Sequence, residues 1–140
     1  MPEAHQPGES EFRVIWPDTL EWQPFAGFPS AVRLAILVGD PTQAGPYVIR
    51  VRVPAGERMM PHRYSDDRIY TVISGILYIG LGEHFDESKL TAHAPGSLLV
   101  LPSGQAHFHW ARSGEFIAQV NGIGAVALDY LKRGDDPRQL

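Results

Sequence analysis

Two stretches decide the fold: Gly56-Glu-Arg-Met-Met-Pro-His62-Arg-Tyr64-Ser-Asp-Asp-Arg68-Ile-Tyr-Thr-Val-Ile-Ser-Gly75 and Gly96-Ser-Leu-Leu-Val-Leu-Pro102-Ser-Gly104-Gln-Ala-His107-Phe-His109-Trp-Ala111. Gly56 and Gly75 stand where the chain must reverse, because glycine tolerates backbone angles closed to other residues. Pro102-Ser-Gly104 reads as a tight turn feeding a strand that carries His107. His107 and His109 are two residues apart on that strand and so share one face.

Working outward, apolar residues recur with a period of two. Tyr47, Ile49, Val51 and Val53 alternate with Val48, Arg50 and Arg52 in the clearest strand, closed by Pro54 and Gly56. Further strands are expected over 12–16, 31–38, 69–73, 76–81, 90–93, 97–101, 106–111, 115–121 and 125–130, punctuated by Gly and Pro. Residues 1–11 read as a mobile lead-in, 22–29 as an irregular aromatic segment over the barrel, and the end from Lys132 as a polar tail. No long stretch keeps a helical period. Nine or ten short strands mean an all-β sandwich or barrel, organised as an N-terminal extension (1–30), one barrel domain (31–131) and a tail (132–140).

Composition narrows the function classes. A chain of 140 residues suits one domain, and 44% hydrophobic with 20% charged residues is ordinary for a globular protein. The formal net charge of −4 and the lack of clustered Lys and Arg speak against nucleic acid. No apolar run is long enough to span a membrane. The polar, acidic start lacks the apolar core of a secretory signal, so a cytoplasmic protein is the default unless a leader has been removed. With no cysteine, thiolate metal sites and Cys nucleophiles are ruled out, and any metal must be held by His, carboxylate, Tyr or water.

The two quoted stretches resemble the two sequence motifs of the cupin superfamily. Gly56, His62, Gly75, Gly96, Pro102, Gly104 and His107 fall in register, the gap between the motifs is about 20 residues, and Val120-Asn-Gly-Ile-Gly124 is similar to a common cupin ending. The resemblance covers about residues 30–130. It implies an all-β cupin jelly-roll (a double-stranded β-helix) that encloses a small-molecule pocket between its sheets. It also implies a site for a divalent metal, typically three His and one Glu. Homodimers through outer strands are common in the family, here the stretches 31–38 and 125–131.

This chain departs from the motif at three places. Tyr64 stands at the second His position, Arg68 at the Glu position and Ala111 at the second-motif Asn position. Only His62 and His107 survive of the four ligands. His109 partly compensates, and three imidazoles could hold Fe, Mn, Ni, Cu or Zn with an open position. Tyr64 is read as a pocket hydrogen-bonding group or a rarer fourth ligand. Strand parity favours Asp66 over Asp67 as a replacement carboxylate. Arg68 has two readings. It is either a surface arginine in an ion-pair cluster with the two aspartates, or an anion clamp, since a guanidinium has no lone pair for a metal. His5, His84 and His93 read as surface residues.

Three functional classes follow. The first is a metal-dependent enzyme, an oxygenase, isomerase or lyase acting on a small oxygenated or anionic metabolite. There His62, His107 and His109 hold the metal, Tyr64 moves a proton and Arg68 neutralises the anion. The second is a metal-free binding or sensing module. The third is a metal-free isomerase or lyase working through a His base and an Arg/Tyr anion pocket. The fold alone does not choose among them.

Overall fold

A computed structural model describes residues 4–139; the first three residues of the lead-in and the last of the tail lie outside the described residues. Among the described residues, ten strands form two antiparallel five-stranded sheets. They are β1 (Arg33–Val38), β2 (Gly45–Val53), β3 (Arg58–Tyr64), β4 (Arg68–Ser74), β5 (Leu77–Leu81), β6 (Thr91–His93), β7 (Leu98–Leu101), β8 (His107–Trp110), β9 (Phe116–Gly124) and β10 (Leu128–Tyr130). One sheet has the order β1-β2-β9-β4-β7 and the other β10-β3-β8-β5-β6. This is the jelly-roll expected from the sequence.

The alternation of side chains makes the core. Tyr47, Ile49, Val51 and Val53 of β2 are buried against Phe116, Ala118 and Val120 of β9 on the inner face of the first sheet. Arg68, Tyr70 and Val72 continue that face on β4. From the second sheet, Met59 and Tyr64 of β3, Leu77 of β5 and Leu128 and Tyr130 of β10 complete one apolar cluster.

Two strand expectations need correction. Residues 12–16 form no strand, and Phe12, Val14 and Trp16 are exposed. The free edge of β1 is already used, by His5 at Leu37 and Gly39 and by Gln23 at Leu34, so this segment finds no ladder to join. Conversely, β3 escapes a reading for strands because Met-Met-Pro-His-Arg carries neither alternation nor β-branching. The strand persists because Pro61 falls in an irregularity of the β3–β8 register, between Met59 and His62, where its missing N–H interrupts no ladder bond. That one-residue slip also turns both Met59 and His62 inward, positions that strict alternation would place on opposite faces.

The two open sides of the sandwich differ. On the β1/β10 side the aromatic segment closes the gap. Phe28 is buried, Phe25 packs on it with ring centroids 5.1 Å apart, and the Tyr130 hydroxyl donates to the Gly27 carbonyl at 2.5 Å. On the other side the short strands β6 and β7 are the sheet edges.

The turn glycines give a direct test. Gly75 has φ +71°, and a Cβ there would overlap the Glu115 carbonyl oxygen, whereas Gly56 has φ +84° and open space around it. Gly56→Ala should cost only the left-handed backbone strain, about 1–2 kcal/mol. Gly75→Ala adds a backbone clash and should cost clearly more in urea unfolding; equal losses would contradict the packing described.

Candidate metal centre

The second sheet positions three imidazoles on its inner face. His62 of β3 lies directly opposite His107 of β8, and His109 of β8 lies opposite Ile79 of β5. All three are buried, with ring centroids 4.2 Å apart for His62–His107, 5.0 Å for His107–His109 and 5.6 Å for His62–His109. One ligating nitrogen from each can be chosen so that all lie within 4.8 Å of one another.

Hydrogen bonding settles which nitrogens are available. His62 Nδ1 lies 2.6 Å from the Met60 carbonyl and His107 Nδ1 lies 3.0 Å from the Gln105 carbonyl. A carbonyl only accepts, so each Nδ1 carries the proton and each Nε2 keeps its lone pair. Those two Nε2 atoms, together with His109 Nδ1, are buried without a hydrogen-bond partner. Orphaned buried acceptors are costly and uncommon. Three buried imidazoles with nitrogens this close have the donor chemistry of a metal site, and backbone carbonyls fix the tautomers of His62 and His107 from behind. A tetrahedral ion with bonds of about 2.1 Å needs donors about 3.4 Å apart, so small ring rotations would bring these nitrogens into range.

Burial holds the imidazoles neutral. Desolvation pushes His62 and His109 well below the usual imidazole value, and neighbouring His107 and the Arg68 charge add to this. Desolvation lowers His107 to about 4, partly offset by its hydrogen bond to Gln105. At neutral pH all three lone pairs are free.

The first sheet supplies the opposite wall. Arg68 is 1% exposed, with its guanidinium carbon 3.5 Å from the Tyr64 ring centroid and 5.4 Å from that of Tyr70. Its Nε has no hydrogen-bond partner. Burial works against its charge, but a guanidinium keeps its proton at any working pH, and the nearby Asp66 carboxylate favours the charged form. Tyr64 is thus held between Arg68 and the imidazoles, its ring edge-on to His62 at 5.1 Å. Burial raises its phenol well above the ordinary value against the pull of Arg68, so Tyr64 stands as a protonated donor.

The structure brings together His62, His107, His109, Tyr64 and Arg68, and corrects the reading of the aspartates. Asp66 accepts a hydrogen bond from the Tyr47 hydroxyl at 2.8 Å and another from Ile123 N, while Asp67 accepts from Ser103 N at 2.7 Å. Both lie in the turn after β3, where strand parity no longer applies, and neither replaces the missing Glu. Nor do they form a surface cluster with Arg68, because Arg68 opens β4 on its inward register. The expected pocket around the histidines is also mostly filled. Beside Tyr64, Arg68, Tyr70 and His109 only about 10 Å³ remains, room for an atom or a single water. Tyr130, opposite His62 on β10 with ring centroids 5.7 Å apart, is a neighbour that the sequence reading missed. Its only signal was its inward register at the end of a three-residue strand.

Comparison with solved structures confirms the architecture. The chain is similar to the polyketide cyclase RemF from Streptomyces resistomycificus (TM-score 0.71, 12% identity, 92% of this chain and 96% of that one). It is also similar to KdgF from a Halomonas species (TM-score 0.62, 18% identity, 81% and 94%). A cupin 2 conserved barrel domain protein from Rhodopseudomonas palustris matches with TM-score 0.63 at 18% identity, over 80% and 77%. The chain therefore has the cupin fold, the double-stranded β-helix. No protein-family model matches it, and no curated protein matches it in sequence. Among the described residues no helix is long and apolar enough to cross a membrane.

The buried imidazoles make stability pH-dependent. A group whose folded pKa is depressed contributes stability that is present above its unfolded pKa and lost as pH falls through the folded value. For His107 the window runs from about 6.5 down to about 4 and is worth about 3 kcal/mol. Metal-free protein should lose stability steeply between those pH values in urea titrations, and His107→Gln should flatten part of the slope. A flat profile in the parent protein would contradict neutral burial.

Proposed function

We propose that this chain is a metal-dependent cupin enzyme acting on a small oxygenated or anionic metabolite. The observation that carries the proposal is the trio of buried, unpartnered imidazole nitrogens of His62, His107 and His109. A divalent transition metal held there would supply a Lewis acid with an open position. Its identity among Fe, Mn, Ni, Cu and Zn is left open by an all-imidazole donor set.

The surrounding residues define the rest of the chemistry. No carboxylate joins the imidazoles, and the Arg68 charge lies close enough to depress all three. The site is therefore strongly cationic and favours an anion, such as a carboxylate or an enolate, over a neutral ligand. In this reading Tyr64 gives a proton to such an oxygen and Arg68 balances its charge. The polyketide cyclase among the similar structures is an instance of the scaffold bearing an enzyme. A small-molecule partner, a cytoplasmic location and a homodimer through outer strands belong to the same proposal.

A second reading, a metal-free binding module, draws support from Arg68, a buried cation with no carboxylate in ion-pairing range among the described residues. Elemental analysis separates the two. Untagged protein should carry about one equivalent of a transition metal, and His62→Ala/His107→Ala should carry none. No metal after incubation with Fe, Mn, Ni, Cu and Zn would overturn the first reading in favour of the second.

Arg68 gives an independent check. Arg68→Met removes a positive charge near the imidazoles at little cost in volume, so chelator competition should show metal held several-fold more tightly, about 1 kcal/mol. Replacing a buried charge by a well-packed apolar side chain should leave stability unchanged or higher. Weaker metal binding in a folded Arg68→Met protein would contradict the arrangement.

A further inference from the structure

We propose that the open side of the sandwich, between the β6 and β7 edges, is a binding site for a small organic anion with an apolar body, anchored by Lys89. As the substrate entrance it rests on the function proposed above; as a binding site it requires no metal.

The geometry starts from an asymmetry between the two sides. The β1/β10 side is sealed by Phe25, Gly27 and Phe28. The β6/β7 side is left open because β6 has three residues and β7 four, too few to close over the gap. A hollow of about 470 Å³ lies there, well within the range of small-molecule sites. Its floor and walls are apolar, formed by Ile79 and Leu81 of β5, Leu99 and Leu101 of β7 and Tyr70 of β4.

The polar groups are few and gathered on one wall. Thr91 and His93 face the hollow from β6, paired across the ladder with Ile79 and Leu77. Lys89 precedes them in the same segment. The Thr91 hydroxyl and His93 Nε2 are 2.9 Å apart, a hydrogen-bonded pair. Lys89 makes no ion pair within 4.0 Å among the described residues: Glu87, the acidic group nearest it in sequence, pairs with Arg58 at 3.1 Å, and the Asp86 carboxylate, near enough to feel the Lys89 charge, is engaged by Ser88 N and Oγ. An ammonium flanked by hydrogen-bonding groups, at the edge of an apolar trough, suits a carboxylate on an aryl or alkyl body. Arg68, the anion clamp expected from sequence, does not line this hollow.

Tyr70 connects the two sites. It forms one wall of the hollow and its ring centroid is 5.9 Å from that of His109. A ligand with its carboxylate at Lys89 and its body along Leu99 and Leu101 would lay its far end on Tyr70, one ring from the imidazoles. A rotation of Tyr70, which lines both, would join the hollow to the small space beside His109.

The test uses the whole metal-free chain and two pairs of probes, 3-phenylpropionate with its amide and octanoate with its amide, followed by NMR titration at pH 7.5. Saturable shifts at Tyr70, Ile79, Thr91, His93 and Leu99 are expected, with at least one acid binding fivefold or more tightly than its amide. Lys89→Met should abolish that preference while leaving amide binding unchanged. Leu81→Trp, at the half-exposed mouth, should weaken acid and amide alike. Both positions are exposed, so an unchanged parent spectrum confirms folding. Absence of saturable binding by all four probes, or a charge preference that survives Lys89→Met and disappears in Arg68→Met, overturns the inference. Repeating the titration with bound Zn(II) keeps the two proposals apart. Binding without any metal uptake refutes only the metal enzyme, and metal uptake without binding refutes only this site.

Discussion

The interior of this barrel is organised around a buried cation. Arg68 is placed by its strand register between the sheets, stacked on Tyr64, with no carboxylate within ion-pairing distance among the described residues. Burying a guanidinium costs several kcal/mol, and a desolvated stack on a phenol ring returns about 2 kcal/mol of it. The field of that charge then constrains everything facing it. Together with burial it holds the imidazoles opposite neutral, whereas it pulls the neighbouring phenols toward ionisation, a pull that burial outweighs. The Glu of the usual cupin cage would neutralise a metal; Arg68 stands in its place here.

Seen this way, the departures from the cupin motif form one set. Replacing Glu by Arg removes an anionic ligand and adds a charge, and replacing a His by Tyr64 provides the aromatic face that the charge packs on. His109 restores a third nitrogen from the same strand as His107. The backbone supports this exchange. The irregularity at Pro61 turns His62 inward with Met59, and carbonyls of Met60 and Gln105, each two residues before its histidine, hold the Nδ1 protons. The same fold leaves one flank unsealed, so the filled centre need not be where a ligand first docks.

Much of the fold was legible because it is written in local signals. Alternation along β2, positive-φ glycines at 56, 75, 96 and 104, and the Pro102 turn all act within a few residues. The His107/His109 pair was legible for the same reason. What escaped depended on partners distant in sequence. The 12–16 segment has strand composition but no free edge to join, and β3 lacks strand composition but is held between β8 and β10. Asp66 was misplaced because parity was carried past the end of a strand. The burial of Arg68 was only half foreseen, since its inward register depends on where β4 begins. The difference between a sealed and an open flank could not be read at all, because it arises from the lengths of β6 and β7 relative to an aromatic segment from the other end of the barrel.

One metal ion held by three imidazoles, and by no carboxylate, is the arrangement on which the proposed function rests. X-ray absorption at the metal edge of the loaded protein tests this most directly. Three imidazole scatterers with nitrogen distances of about 2.0–2.1 Å, and no bidentate carboxylate shell, are predicted. A spectrum dominated by carboxylate and water oxygens, without the multiple scattering of imidazole rings, would place the metal elsewhere and contradict the account.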